Sequence, residues 1–352
     1  MLDASGNATF AGTAAMSSSF LRNRILNGDM RIDQRNAGAS VTINTLAGGY
    51  TIDRWFATGR AAAGVFTVQR LSTPVPAGFT NCLGCTVTTS ATPGTSDAYV
   101  VGQFIEGFNT GDLGWGTASA QTVTLSFRVY SSLTGTFGGS VANNAANRCY
   151  PFSFSIGSAN TWTTISVTIP GDTTGTWLTD NSAGIKLYFD LGSGSSLRGT
   201  AGVWGSTFYT GVTGGTNVIA TNGATFYLTG VQLEVGTAAT PFERRQFGQE
   251  LALCQRYYET ITGLFLTCAN AGLSNSYASA IFYKVQKRAT PTITTYSDVN
   301  LGGSGGNLTW YPGGAVAVPD VAFNSEGSAV LQRTGISTYN LVVGSLTLSA
   351  EL

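Results

Sequence analysis

Apolar residues fall at every second position along much of this chain. Val123, Leu125, Phe127 and Val129 alternate with Thr, Ser and Arg. Ile165, Val167 and Ile169 alternate with Ser and Thr, and Ile185, Leu187 and Phe189 alternate with Lys186, Tyr188 and Asp190. Each run predicts a half-buried antiparallel strand, with one apolar and one polar face. From Phe226 to Val235 the phase slips: Phe226 and Leu228 set it, and Val231, Leu233 and Val235 resume one residue late. The extra residue predicts a β-bulge at Thr229–Gly230, where glycine takes up the distortion. Earlier, Asn23 to Ile32 predicts a strand broken by an Asn-Gly-Asp turn. After Glu259 the strand pattern returns at Ile281–Val285, Thr292–Tyr296, Val321–Phe323 and Leu341–Leu352, between Gly-rich turns.

One segment follows another period. Thr240-Pro241-Phe242-Glu243 has a capping threonine, a proline at the first helical position and a glutamate at the capping-box position. Beyond it Phe247, Leu251, Cys254 and Tyr258 are spaced four, three and four. This predicts a helix with an apolar stripe, packed on its own domain or forming a short seam on a symmetry axis. With 352 residues the chain is about twice a typical domain of roughly 150. The fold expected is all-β, with a short helix and a smaller C-terminal β-domain. Its divisions are an N-terminal arm (1–21), a first β-domain (22–239), a connecting helix (240–259) and a second β-domain (260–352).

Composition narrows the function. Apolar residues make up 43% of the chain, enough for real cores. The 46 glycines have no three-residue period, so they serve turns and bulges. Eighteen basic and eighteen acidic residues cancel, leaving no chain-wide field for nucleic acid or an anionic membrane. No histidine is present, which excludes His-dependent triads. No stretch approaches the roughly 18 apolar residues of a membrane span, and the N-terminus has no signal-peptide pattern. Cys82, Cys85, Cys149, Cys254 and Cys268 form no disulfide framework. Cys82 and Cys85 make a CxxC that could be half a zinc site or a redox pair. Without histidine or a second CxxC, small buried thiols are the better reading, and no metal or cofactor is expected.

Two chemistries are open to the remaining residues. Glycoside hydrolysis needs two carboxylates about 5 to 9.5 Å apart, and Glu106, Asp112, Asp190 and Glu234 are candidates that nothing in the sequence pairs. Asp29, Asp172 and Asp180 could supply oxygens to calcium, but their spacing resembles no dedicated loop. Sugar binding fits better. Aromatic rings in glycine-rich loops can offer flat apolar faces to pyranose rings while nearby polar side chains satisfy hydroxyls. The candidates are Asp112, Trp115, Trp204, Tyr209 and Trp310, with Phe208 and Tyr311 beside them. For each ring the competing role is to anchor its loop in the core.

An ordered set of motifs carries a resemblance: Arg24-Ile25-Leu26-Asn27-Gly28-Asp29-Met30 with Gln34-Arg35, Tyr50-Thr51-Ile52-Asp53-Arg54-Trp55-Phe56, Tyr227 to Gly236, and Pro241-Phe242-Glu243-Arg244-Arg245 leading to Cys254-Gln255-Arg256-Tyr257-Tyr258-Glu259. Over about residues 22 to 352 the chain resembles the distal parts of tail fibre proteins of tailed bacteriophages. The first and third motifs are similar to those of jelly-roll carbohydrate-binding modules, and Leu2 to Gly12 is similar to fibre-shaft repeats that intertwine as trimers. The resemblance implies a homotrimeric receptor-binding adhesin of the virion, with a shaft-like segment at 1–21, a carbohydrate-binding-like jelly-roll β-sandwich at 22–239, a short connecting helix and a smaller C-terminal β-sandwich tip at 260–352. It would contact other tail proteins and a host surface polysaccharide or lipopolysaccharide, bind without catalysis, and be assembled in the host cytoplasm. The matching motifs themselves are expected to be scaffold, with Arg54 and Glu234 in structural bonds. A structural or decorating fibre of tail, collar or head, and a polysaccharide depolymerase, are the alternatives.

Overall fold

The computed structural model describes residues 22–44, 48–60, 63–266, 276–302, 309–311, 320–334 and 340–352, with side chains excepted at 60, 263–266, 276–280, 294–302, 309–311, 320–323, 329–334 and 340–345. The arm expected at 1–21 and Cys268 lie outside these residues.

Among the described residues, fourteen strands precede the helix. They are β1 (Val41–Ile43), β2 (Gly49–Ile52), β3 (Trp55–Arg60), β4 (Val65–Leu71), β5 (Cys82–Thr89), β6 (Ala98–Glu106) and β7 (Val123–Ser131), then β8 (Gly135–Ala142), β9 (Cys149–Ile156), β10 (Thr163–Ile169), β11 (Ala183–Ser193), β12 (Arg198–Gly199), β13 (Gly211–Val212) and β14 (Thr225–Val235). Two six-stranded antiparallel sheets form a jelly-roll sandwich: β1-β4-β5-β14-β7-β10 and β2-β3-β6-β11-β8-β9. The inward phase of each strand fills one core, with Leu125, Phe127 and Val129 of β7 meeting Leu187 and Phe189 of β11, and Phe226, Leu228 and Val231 of β14 beside them. Phe127 packs edge-on to Phe189 at 5.1 Å.

The bulge lies where the phase slip puts it. Register shifts between Thr229 and Gln232, and Gly230 adopts φ +61°. A Cβ there would stand 2.7 Å from the Phe79 ring, so both backbone and space demand glycine. Two expectations need correction. Asn27 to Ile32 is a buried irregular turn and no strand, because the Asn27 side chain takes over the bonds a partner strand would make. Its amide donates to Ile32 O (2.7 Å) and Asp53 O (3.0 Å), and its carbonyl accepts from Ile32 N. Strand β11 exposes little of its polar side: Tyr188 and Asp190 are buried and Lys186 is half-buried, since residues 195–213 cover much of the outer face of the second sheet.

The helix α1 spans Phe247–Gln255, shorter than the expected 240–259. Thr240 does not cap it. Its N–H and hydroxyl donate to Glu234 (2.8 and 2.6 Å), and Glu243 N–H donates to Gln232 (2.7 Å). Side chains of β14 satisfy these donors, and the segment runs extended until Gln246. Tyr258 already belongs to the next strand. β15 (Tyr258–Leu266), β16 (Ser276–Phe282), β17 (Thr292–Gly302), β18 (Thr309–Tyr311), β19 (Asp320–Asn324), β20 (Ser328–Thr334) and β21 (Asn340–Ser349) make two further sheets, β15-β21-β17-β18 and β16-β20-β19. Ile281, Tyr283, Leu346 and Leu348 form their described core. Among the described residues no helix is long and apolar enough to cross a membrane.

A buried polar joint ties the helix and the second unit to the sandwich. Arg256 clamps Glu106 through two nitrogens (2.9 and 2.6 Å), and Tyr257 donates to the same carboxylate (2.6 Å). Arg54 is 1% exposed, pairs with Glu351 and lies 3.6 Å from the centre of the Tyr257 ring. Arg245 pairs with Glu250, and Lys287 with Glu259 (2.5 Å). Glu250 in turn accepts from Asn27 N (2.5 Å). Three of the four motifs of the phage-fibre resemblance supply members of this joint: the first through Asn27, the second through Arg54, and the fourth through Arg245, Arg256, Tyr257 and Glu259.

Candidate glycan-binding face

The aromatic residues singled out by sequence fall into separate environments. Trp115 and Trp204 do meet, at 5.4 Å, and Trp177 joins them at 4.6 and 5.5 Å. All three pairs are near-perpendicular, which places ring edges against ring faces. Tyr150 packs on Trp204 at 5.2 Å. Each indole N–H is spent on a backbone carbonyl: Trp115 on Gln121 (2.8 Å), Trp177 on Thr174 (3.2 Å) and Trp204 on Pro170 (2.7 Å). This cluster pins loops at one end of the sandwich and spends all three indole donors on the backbone; Trp115 is buried, while Trp177 and Trp204 are half-buried. Asp112 stands nearby in sequence, with an exposed carboxylate paired to Arg24 at 2.5 Å.

Tyr209 sits apart, on the covered face of the second sheet. Its backbone carbonyl accepts from Ser140 Oγ (2.6 Å) and Cys149 Sγ (3.4 Å), so it too anchors a loop. Phe208 packs edge-on to Tyr188 there, beside a cavity of about 310 Å³. Trp310 and Tyr311 lie in β18, and their side chains are outside the described residues. The apolar stripe is likewise dispersed. Cys254 and Tyr258 are buried in their own chain, the Tyr258 ring lying under Arg35 at 3.7 Å. Leu251 is half-buried and only Phe247, 56% exposed, faces solvent, because the stripe ends where β15 begins. These four residues form no continuous exposed seam.

The carboxylates proposed for hydrolysis are mostly engaged. Glu106 and Glu234 are bound as described above, and Asp190 is buried with Ser193 (2.6 Å) and Gly192 N–H (2.9 Å) as donors. Asp172 is gripped by Arg148 through two 2.7 Å bonds that hold its carboxyl below the usual range despite burial. Cys82 and Cys85 point to opposite faces of β5, as residues three apart in a strand must, so they form neither a redox pair nor half a metal site. Burial pushes the Cys82 thiol up to about 12.

A different set of rings meets the geometric needs of sugar binding. On the outer face of the first sheet, register places Gln69, Gly84, Tyr227 and Tyr130 side by side across β4, β5, β14 and β7. Trp162, the residue before β10, continues the row beyond Tyr130 at 5.6 Å. The Tyr130 and Tyr227 rings are parallel within 5° and 5.1 Å apart, an offset overlap. Gly84 makes this possible: a Cβ there would approach the Tyr227 ring to 3.3 Å and Leu71 to 2.3 Å, so its absence lets both lie across β5. All three rings are half-buried. Trp162 Nε1 has no acceptor among the described residues. Burial pushes the Tyr227 phenol up, so it stays a neutral hydroxyl.

Polar rows flank the rings. Thr67, Thr86 and Thr225 lie on one side, Thr229, Arg128 and Thr164 on the other. Beyond Arg128 the face deepens into a cleft of about 340 Å³ walled by Phe79, Phe242 and Arg244, a size typical of ligand clefts. The signal for this site was available in the sequence. Tyr130 and Tyr227 occupy the outward phase of strands whose other outward residues are polar: Thr124, Ser126 and Arg128 in β7, and Thr225, Thr229, Gln232 and Glu234 in β14.

No protein-family model and no curated protein matches the chain. Solved structures with partial likeness include the enzymatically active domain of tailspike protein 4 of bacteriophage CBA120, at 13% identity and TM-score 0.31, covering 61% of this chain and 21% of that one. A carbohydrate-binding module described as CBM4 aligns at 15% identity and TM-score 0.29, over 60% of this chain and 98% of its own. A family 11 carbohydrate-binding module of a Clostridium thermocellum cellulosomal cellulase aligns at 11% identity and TM-score 0.28, over 59% and 100%. The chain thus spans about a fifth of the tailspike domain. At these values the likenesses carry no argument about activity.

Proposed function

We propose that the chain is a non-catalytic receptor-binding protein of a phage tail fibre, and that it holds a host cell-surface glycan on the outer face of its first sheet. The observation that carries the binding reading is the row Tyr227–Tyr130–Trp162. Three half-buried rings lie in one cross-strand line, with hydroxyls on both flanks and a cleft at one side. Such a surface matches a saccharide, whose C–H faces pack on rings and whose hydroxyls need nearby donors and acceptors. The engagement of Glu106, Asp190 and Glu234 in buried bonds supports binding without cleavage. The place in a virion and the homotrimer rest on the ordered motifs. Three copies would multiply weak contacts through effective concentration.

The test is a glycan array probed with the full chain and with Tyr130→Ala and Trp162→Ala. Specific binding that disappears in both variants, while their melting profiles stay close to the parent's, supports the site. Binding that survives both refutes it, and no binding to any glycan favours a structural fibre making only protein contacts. Light scattering on the full chain completes the test: three times the 36.5 kDa chain mass is expected, and a monomer rules out the symmetric fibre.

A further inference from the structure

Nearly every arginine with a described side chain is neutralised. Arg22, Arg24, Arg31, Arg35, Arg54, Arg70, Arg148, Arg198, Arg244, Arg245 and Arg256 each have a carboxylate within 4 Å. Arg288 lacks one but donates to the backbone carbonyls of Asn181, Ala350 and Glu351. Arg128 is the exception. It is exposed, and among the described residues its guanidinium donates to a single neutral partner, the Thr164 hydroxyl. It also stands one row from Tyr130, at the mouth of the cleft.

The far wall of that cleft adds a second cation. Arg244 has a side chain 45% exposed, stacks on Phe79 (4.6 Å) and Phe242 (5.5 Å), and reaches Gly78 O. It shares Asp29 with Arg31, which holds that carboxylate more closely, at 2.7 against 3.4 Å. None of the residues lining the cleft is acidic. A protein of zero net charge thus places at one edge of its ring row one arginine without a described carboxylate partner, Arg128, and one that shares its carboxylate, Arg244.

We infer that the face selects an acidic glycan: one sugar packs on Tyr130 and Trp162 while a carboxylate or phosphate of the adjoining residue is gripped by Arg128 at the cleft mouth, with Arg244 adding long-range attraction. A guanidinium suits this task because its planar fork matches either anion with two parallel hydrogen bonds, and because it never loses its charge. Thr164 holds one nitrogen and so limits the rotamer freedom that binding would otherwise cost. The inference rests on the glycan reading of the face and adds to it the charge of the ligand.

The experiment is an array of uronic-acid and phosphosugar oligosaccharides, each printed beside its carboxyl-reduced or dephosphorylated counterpart, with poly-glutamate as a non-saccharide anion. It is probed with the full chain, Arg128→Gln, Arg128→Lys and Tyr130→Ala. The parent is expected to favour the acidic member of a pair by at least about tenfold, the ratio one charge-assisted hydrogen bond supplies. Rising salt should erode the preference. Arg128→Gln should abolish it and keep the neutral member's signal, Arg128→Lys should retain part of it, and Tyr130→Ala should lose both members. Which pairs respond, uronate or phosphate, identifies the anion. Equal binding of both members overturns the inference and leaves glycan binding standing. So does a preference that survives Arg128→Gln. Poly-glutamate bound as well as the acidic sugars, or silence toward every saccharide, overturns both readings.

Discussion

Two aromatic groups lie on the same sandwich, and they differ in what their polar atoms and ring faces are doing. At the loop end, Trp115, Trp177 and Trp204 meet edge to face and each N–H closes on a backbone carbonyl. On the outer face of the first sheet, Tyr227, Tyr130 and Trp162 form a line set by strand register, and Trp162 Nε1, itself buried, has no acceptor among the described residues. The first group is closed upon itself. The second is open along one side. Aromatic content and glycine-rich loops are common to carbohydrate sites and to loop anchors alike; the disposition of faces and donors separates them.

The largest effect should come from breaking the closed group. Trp115 is 7% exposed, and Trp115→Ala removes its contacts with two other rings and leaves the Gln121 carbonyl unpaired. A loss of about 3 to 5 kcal/mol is expected from chemical denaturation. Affinity per folded molecule should hardly change. If Trp115→Ala instead abolished binding in a fully folded protein, the assignment of the two groups would be reversed.

The open group should show the opposite split. Trp162→Ala and Tyr130→Ala remove half-buried rings from a sheet face, so stability should fall by no more than about 1 to 2 kcal/mol. Glycan affinity should fall by about tenfold or more, the effect expected when a ring contact worth about 1.5 kcal/mol is lost. Isothermal titration beside thermal melts reads both quantities. A variant that melts far below the parent with its affinity intact would make the row another anchor.

This contrast also marks how far the residues could be read before the fold was known. The β7, β10 and β11 strands were legible because their inward residues alternate without interruption, and the bulge was legible because Val231 follows Leu228 by three. Trp115 and Trp204 were visible as rings among glycines, but Trp177 and the Pro170 carbonyl that occupies the Trp204 indole come from parts of the chain distant from the rings they meet. The Tyr227–Tyr130–Trp162 row needs three strands in register, which no local pattern specifies. The same reason explains the helix. Thr240-Pro241-Phe242-Glu243 has a helix-start composition, yet Glu234 and Gln232 across the bulge take its donors first. The motifs Asp53-Arg54 and Arg256-Tyr257 were read as scaffold, and the joint formed by Arg54, Glu351, Glu106, Arg256 and Tyr257 gives that reading its physical content.

A smaller effect concerns acid. Near the tryptophans, Arg148 holds the Asp172 carboxyl below its ordinary range, and Asp172 O accepts from Gly116 N–H (2.7 Å), one residue from Trp115. A carboxyl with a lowered folded pKa contributes stability that is complete above its unfolded value of about 3.9 and is lost as pH falls through the folded value. Arg148→Gln should therefore lower the melting temperature at neutral pH and narrow the gap to the parent in strong acid. A gap of constant size from neutral to acid pH would mean that the pair contributes by packing alone, the Arg148 stem lying over Gly175.

The ring row should show no such dependence. Its outward residues are phenols, an indole, threonines and Arg128, and no carboxylate stands among them; the Tyr227 phenol is pushed above its ordinary value by burial. Neutral-glycan affinity measured between about pH 5 and pH 8 should stay flat, since the row contains no carboxylate and no imidazole. Acidic-glycan affinity should be flat over the same window, because guanidinium remains charged and uronates are already ionised. A sugar phosphate would behave differently, gaining affinity near pH 6 as its second proton leaves. A rise of that kind in the parent, absent from Arg128→Gln, would identify the anion from the titration alone. A fall in acid for every glycan, tracking the unfolding of the tryptophan end, would instead tie the open group's integrity to the closed one and dissolve the separation between them.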